Sequence, residues 1–124
     1  MGQEKLSDDV LDDIDLLLDQ VDELSKLDCN ATTDLISYEL ERENIPHRRM
    51  CGSVVQSRSG ETVFPHCWIE LASGEILDVR LQKYFPYTED APHGRFLASG
   101  IYSYRGAVAI DARIPEPLIN EMAA

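Results

Sequence analysis

Cys29, His66 and Asp78 have the types and the chain order of a thiol nucleophile with its base and the group that orients the base. The thiolate is the reactive form, and a free cysteine is mostly protonated at neutral pH. Asp28 precedes Cys29 and is a good helix N-cap type, which sets Cys29 at the first helical position. There the unpaired backbone N–H groups and the helix dipole favour the thiolate. The same N–H groups suit the oxyanion that forms when a carbonyl is attacked. Asp28 works against the thiolate unless it is engaged as the cap. An imidazole beside the sulfur corrects the balance by forming an ion pair.

The elements that must bring these residues together are readable from local patterns. Val10, Ile14, Leu17, Val21 and Leu24 recur at steps of four and three after Ser7, predicting an amphipathic helix over about 8–26. A second helix is expected over about 29–43, burying Ala31, Thr32, Leu35, Ile36, Tyr38 and Leu40. Asn44 and Pro46 close it. From His47 the period shifts towards two. Met50 to Gln56, Glu61 to Leu71 and Glu75 to Leu81 read as a three-strand antiparallel meander, with Pro65 suiting an edge or a bulge. Beyond it, Pro86, Pro92 and Gly94 mark a long loop carrying His93, an alternative base should His66 point away. Ile101–Tyr104 and Ala107–Ile110 are short strand candidates around Arg105 and Gly106. Pro115 and Pro117 suit a short terminal helix or an extended tail.

The second hairpin carries a testable count. With a three-residue turn at Ala72-Ser73-Gly74, Leu71 faces Glu75, Trp68 faces Asp78 and His66 faces Arg80. His66 and Asp78 are then diagonal neighbours on one face, with Cβ atoms roughly 7–8 Å apart or less. A four-residue turn would put them on opposite faces.

Cys29 opening a helix, Ile45-Pro46, a strand through Met50-Cys51-Gly52, the run His66-Cys67-Trp68-Ile69-Glu70, a glycine turn and Ile76-Leu77-Asp78 resemble the transglutaminase-like (papain-like) cysteine superfamily. Within it, the look is that of the small leader-peptidase domains of lasso-peptide maturation. The resemblance spans about residues 27–80. It implies an α+β fold, N-terminal helices on a small antiparallel sheet, and amide cleavage or acyl transfer without cofactor or metal. It implies Cys29 as nucleophile, His66 as general base, Asp78 as orienter and Trp68 as a shield of the site. Cys67 stands where the pattern has a small residue. The acidic first helix and the residues after Tyr84 lie outside the pattern.

The chain of 124 residues is expected to form one domain: an acidic helix over 1–26, a core helix and meander over 27–82, and loop, short strands and tail over 83–124. The net charge is −12, and residues 1–28 hold ten acids against Lys5 and Lys26. That balance excludes a nucleic-acid footprint. It leaves a solvated helix face or a dock for a basic protein partner. No apolar run approaches a membrane span, so a cytoplasmic location is expected. Cys29, Cys51 and Cys67 form no C-x-x-C pair, and their odd number argues for reduced thiols over a disulfide framework. Two readings follow. One is a small cysteine hydrolase or acyltransferase acting on a peptide or glutamine amide. The other is a non-catalytic inhibitor or effector that binds a basic partner through the acidic helix.

Overall fold

The computed structural model describes residues 6–85 and 91–111. The elements run α1 (Asp8–Asp22), α2 (Cys29–Arg42), β1 (His47–Gln56), β2 (Thr62–Leu71), β3 (Ile76–Asp78), α3 (Leu81–Tyr84), β4 (Gly94–Phe96) and β5 (Tyr102–Asp111). The fold is α+β. All five strands join one antiparallel sheet in the order β4-β3-β2-β1-β5.

Local chemistry starts both long helices where expected. The Ser7 hydroxyl accepts from the Val10 N–H at 3.3 Å, and the Asp28 carboxylate accepts from the Ala31 N–H at 2.8 Å. Cys29 is therefore the first residue of α2. Helix α1 stops at Asp22, short of the expected 26, because the Arg80 guanidinium captures the carbonyls of Val21 (3.1 Å), Leu24 (2.8 Å) and Leu27 (2.9 Å). The Val21 and Leu24 carbonyls also accept the N–H groups of Leu24 (2.9 Å) and Leu27 (3.1 Å), so the guanidinium fills their second acceptor sites at a helix end. Leu24 is left 49% exposed. In α2 the buried face is Thr32, Thr33, Ile36, Ser37 and Leu40, whereas Tyr38, expected inside, lies outside. Ser37 is buried because its hydroxyl meets His47 Nε2 at 2.7 Å, while His47 Nδ1 meets the Ile45 carbonyl at 2.7 Å. Asn44 closes the helix with a φ of 59°.

The β2–β3 hairpin has the three-residue turn. Ile69 pairs with Leu77 and Glu70 with Ile76, the Leu71 N–H reaches the Glu75 carbonyl at 2.8 Å, and Gly74 takes a φ of 91°. Strand β3 ends at Asp78, however, not at Leu81. The carboxylate of Asp78 turns the chain by accepting the N–H groups of Arg80 (2.9 Å) and Leu81 (3.1 Å), so the expected ladder pairs of Trp68 with Asp78 and of His66 with Arg80 do not form. Pro65 sits at a bulge: β2 spends one more residue than β1 between the pairs Gly52–His66 and Val54–Val63.

The two short strands expected around Arg105 and Gly106 are one continuous strand, β5. Gly106 does not break it; it faces Gly52 across the ladder. A Cβ on Gly106 would lie 2.5 Å from the Cys51 carbonyl oxygen and 2.8 Å from Trp68 Cη2, so this glycine is the space in which the indole lies. Part of the expected loop around Gly94 is strand β4, paired to β3. The region of Pro86 and the tail of Pro115 and Pro117 lie outside the described residues.

Two apolar clusters flank the sheet. Ile14, Leu18, Val21, Ile36, Leu40, Ile69, Leu71 and Leu77 join the helices to one face. Val54, Trp68, Ile76, Leu81, Phe85 and Tyr102 form the cluster of the other. Because side chains alternate along a strand, His66 falls on the face of Trp68, and Cys67 on the face of the helices.

Candidate active site

The hairpin carries the base and its acid. His66 Nε2 donates to Asp78 Oδ2 at 2.6 Å, and the two side chains are 0% and 1% exposed. Tyr104 of β5 donates its hydroxyl to the same oxygen at 2.9 Å. With the Arg80 and Leu81 N–H groups on Oδ1, the carboxylate accepts four hydrogen bonds. A buried carboxylate so satisfied is a fixed negative end for the imidazole. Burial, then the Asp78 charge and hydrogen bond, hold the Tyr104 phenol far above its ordinary range, so it remains a donor.

The other ring nitrogen, His66 Nδ1, is buried and makes no hydrogen bond of regular geometry. Cys29 neighbours the imidazole: thiol and ring interact through a polar contact and through charge. Such contacts are often loose before a substrate tightens them. Burial by itself pushes the imidazole down; Asp78 and then Cys29 outweigh it and raise His66 to about 9. Burial by itself pushes the thiol up; His66, the Cys67 backbone N–H and the Tyr84 hydroxyl outweigh it and bring Cys29 below its ordinary value. Both shifts favour the thiolate–imidazolium pair, which titrates as a unit.

Arg80 links the two halves. Its guanidinium, on a residue 1% exposed, bonds the carbonyls that lead from α1 to Asp28, and its backbone N–H bonds Asp78. It also meets Asp22 Oδ1 at 3.2 Å. One residue thus fixes both the acid and the connection that delivers the thiol.

Cys29, His66 and Asp78 are brought together. Trp68 is 1% exposed, with its ring 6.0 Å from the imidazole and stacked at 26°, and it meets Tyr104 edge-on at 5.0 Å. It backs the imidazole from the interior. His93 is engaged elsewhere, at 3.1 Å from Asp22 Oδ2. Three further residues had no signal in the sequence reading. Tyr104 is on β5, three strands from Asp78's β3 in the sheet order, and only the tertiary fold carries it to Asp78. Tyr84 sets its hydroxyl against the thiol and backbone N–H of Cys29, with its ring edge-on to His66 at 5.4 Å. Cys67 turns its N–H to the Cys29 sulfur. The turn after Asp78 is what makes Tyr84 reachable, and the strand pattern of Glu75 to Leu81 concealed it.

The arrangement can deprotonate a thiol, hold an imidazolium and present N–H and O–H donors beside the sulfur. Among the described residues, no group of three or more His, Cys, Asp or Glu side chains is arranged to hold a metal ion, and no helix is long and apolar enough to cross a membrane. No family model, no curated protein and no solved structure matches the chain.

Proposed function

We propose that this chain is a small cysteine hydrolase or acyltransferase with a transglutaminase-like core, acting on a peptide or glutamine side-chain amide in the cytoplasm. The observation that carries the reading is the buried His66–Asp78 pair at 2.6 Å, its imidazole interacting with a thiol at the start of a helix. The Cys29 thiolate attacks the amide carbonyl carbon. A C–S bond forms and the carbonyl electrons move to oxygen, beside the Cys67 N–H and the Tyr84 hydroxyl. When the C–N bond breaks, the leaving amine takes the proton from His66 Nδ1, leaving a thioester. Water then gives its proton to His66 and attacks the thioester, restoring the thiol pair. An amine in place of water gives transamidation. Asp78 keeps its hydrogen bond to Nε2 throughout and needs no proton of its own.

The test intercepts the thioester. Incubation with a library of glutamine-containing and basic peptides in the presence of hydroxylamine should release peptide hydroxamates. Cys29→Ser and His66→Ala should abolish the release. Absence of hydroxamate from every peptide, together with a Cys29 alkylation rate at pH 6 no faster than that of Cys51, would refute the reading. The second reading, docking of a basic partner, is favoured by the exposed Asp8, Asp9, Asp12, Asp13 and Asp19 on α1. Replacing these five by Asn and losing capture of a Lys-rich peptide would support it.

A further inference from the structure

Cys67 stands between two other sulfurs. Cys51 lies directly opposite it in the β1–β2 ladder, with Sγ atoms 2.9 Å apart. On its other side Cys67 is in polar contact with the thiol of Cys29, and its Sγ is 4.0 Å from Asn30 Oδ1 in the first turn of α2. All three are free thiols. Directly opposed residues of antiparallel strands have Cα atoms about 4.5–5.5 Å apart, inside the window of about 4.4–6.8 Å that a disulfide needs. The backbone therefore allows a Cys51–Cys67 bond without rearrangement. Nothing in the proposed amide chemistry uses either sulfur.

We infer that Cys29, Cys67 and Cys51 form a thiol relay that consumes a peroxide at the candidate active site and stores the oxidation as a Cys51–Cys67 disulfide. The relay rests on Cys29 being the activated thiol of the proposed function. In the first step the Cys29 thiolate attacks one oxygen of hydrogen peroxide. The O–O bond breaks, and the hydroxide released takes a proton from His66 and leaves as water, so Cys29 becomes a sulfenic acid. In the second step Cys67 attacks the Cys29 sulfur, and the departing hydroxide takes the Cys67 proton and leaves as a second water. The product is a Cys29–Cys67 disulfide. In the third step the exposed Cys51 gives its proton to solvent and attacks the Cys67 sulfur, forming Cys51–Cys67 and releasing the Cys29 thiolate, while His66 takes up a proton from solvent to restore the imidazolium. The net change is two thiols and one hydrogen peroxide converted to one disulfide and two waters.

The order of events follows from the surroundings of each sulfur. Cys29 has the imidazole, so it is oxidised first. Cys67 is buried, and burial together with the neighbouring thiols keeps its proton on, which makes it a poor first target and leaves a proton for the departing hydroxide. Cys51 is exposed, so the final disulfide has one sulfur open to a reducing thiol from solution. The active-site cysteine thereby escapes irreversible oxidation to the sulfinic acid.

The experiment oxidises fully reduced full-length protein with one equivalent of hydrogen peroxide, quenches with N-ethylmaleimide and maps disulfides by non-reducing peptide mass spectrometry. The expected result is a Cys51–Cys67 disulfide with Cys29 alkylated. Cys51→Ser, a change at an exposed position, should halt the relay at Cys29–Cys67. Cys29→Ser should slow formation of Cys51–Cys67 by about tenfold or more, because neither remaining thiol has an imidazole to activate it. Equal rates with and without Cys29 would overturn the relay, as would sulfinic acid on Cys29 with no bond to Cys67. Rapid alkylation of Cys29 at pH 6 without any disulfide would overturn the relay and leave the proposed function standing. A working relay without hydroxamate release from any peptide would support the relay and count against the amide chemistry alone.

Discussion

Asp78→Asn tests the core of the site with almost no change of shape. In the native protein Oδ2 accepts from His66 Nε2 and from the Tyr104 hydroxyl, while Oδ1 accepts two backbone N–H groups. An asparagine oxygen can keep the two backbone donors. Its amide then faces His66 and Tyr104 as a donor. Tyr104 can turn its hydroxyl and accept. His66 can accept only by holding its single proton on Nδ1, the nitrogen left for Cys29, and it can no longer be an imidazolium. The native rise of His66 from 6.5 to about 9 corresponds to about 3 kcal/mol in favour of the charged ring. Cys29 shares in that figure, so the thiolate loses only part of it, and a fall of roughly tenfold or more in thiolate population is expected. The assay is the iodoacetamide rate at Cys29 followed peptide by peptide from pH 5 to pH 10, with circular dichroism to confirm the fold. The native protein should react at pH 6 and lose its imidazolium-dependent behaviour near pH 9. The variant should shift towards the profile of an ordinary cysteine. A pH 6 rate within twofold of native would refute the claim that His66 and Asp78 govern this thiol.

Folding stability should show the same pair as two opposing slopes. His66 is raised in the folded state, so its contribution is complete below 6.5 and fades as pH rises through about 9. Cys29 is lowered, so its contribution is complete above its ordinary value of 9.0 and fades as pH falls through the folded value. Between 6.5 and 9 the imidazole contribution falls as the thiol contribution rises. Cys29→Ser removes the rising one, so its urea-unfolding stability should fall more steeply with pH over that window than that of the native protein. Arg80→Met strips a buried guanidinium from the carbonyls of Val21, Leu24 and Leu27, the first two of which keep backbone N–H donors, and should cost about 2–3 kcal/mol in urea unfolding; a change under about 1 kcal/mol would contradict the role given to it. Gly106→Ala places a methyl against the Cys51 carbonyl and the Trp68 ring, and about 1–3 kcal/mol of destabilisation is expected, with a shift in the emission of the sole tryptophan.

What the sequence revealed was what short-range chemistry decides. Ser7, Asp28 and Asn44 mark helix ends by their own side chains, and Gly74 sets the turn that puts His66 and Asp78 on one face. Where the reading departed, a distant partner had intervened. Helix α1 ends early because Arg80 reaches its last carbonyls. Tyr38 points outward because Ser37 is drawn in by His47. Strand β3 stops because Asp78, the residue with chemistry, is also the residue that turns the chain. Gly106 looks like a break along the chain and is a cleft across it, because the object it makes room for is Trp68. The partners of the site that were missed, Tyr84 and Tyr104, are aromatic residues whose spacing resembles any core position until the sheet is assembled.

The single guanidinium of Arg80 gives the thiol a history. During synthesis Cys29 precedes Asp78 and Arg80 in the chain, and His66, the Cys67 N–H and Tyr84, which acidify it, also come later. Until the sheet has closed around it, only the start of its own helix favours the thiolate. Its reactivity is therefore a readout of completed folding: a half-made or partly melted chain has no exposed active nucleophile to misdirect. Cys29 labelling at mildly acid pH, followed through a denaturant series, would report where along the transition the site comes apart.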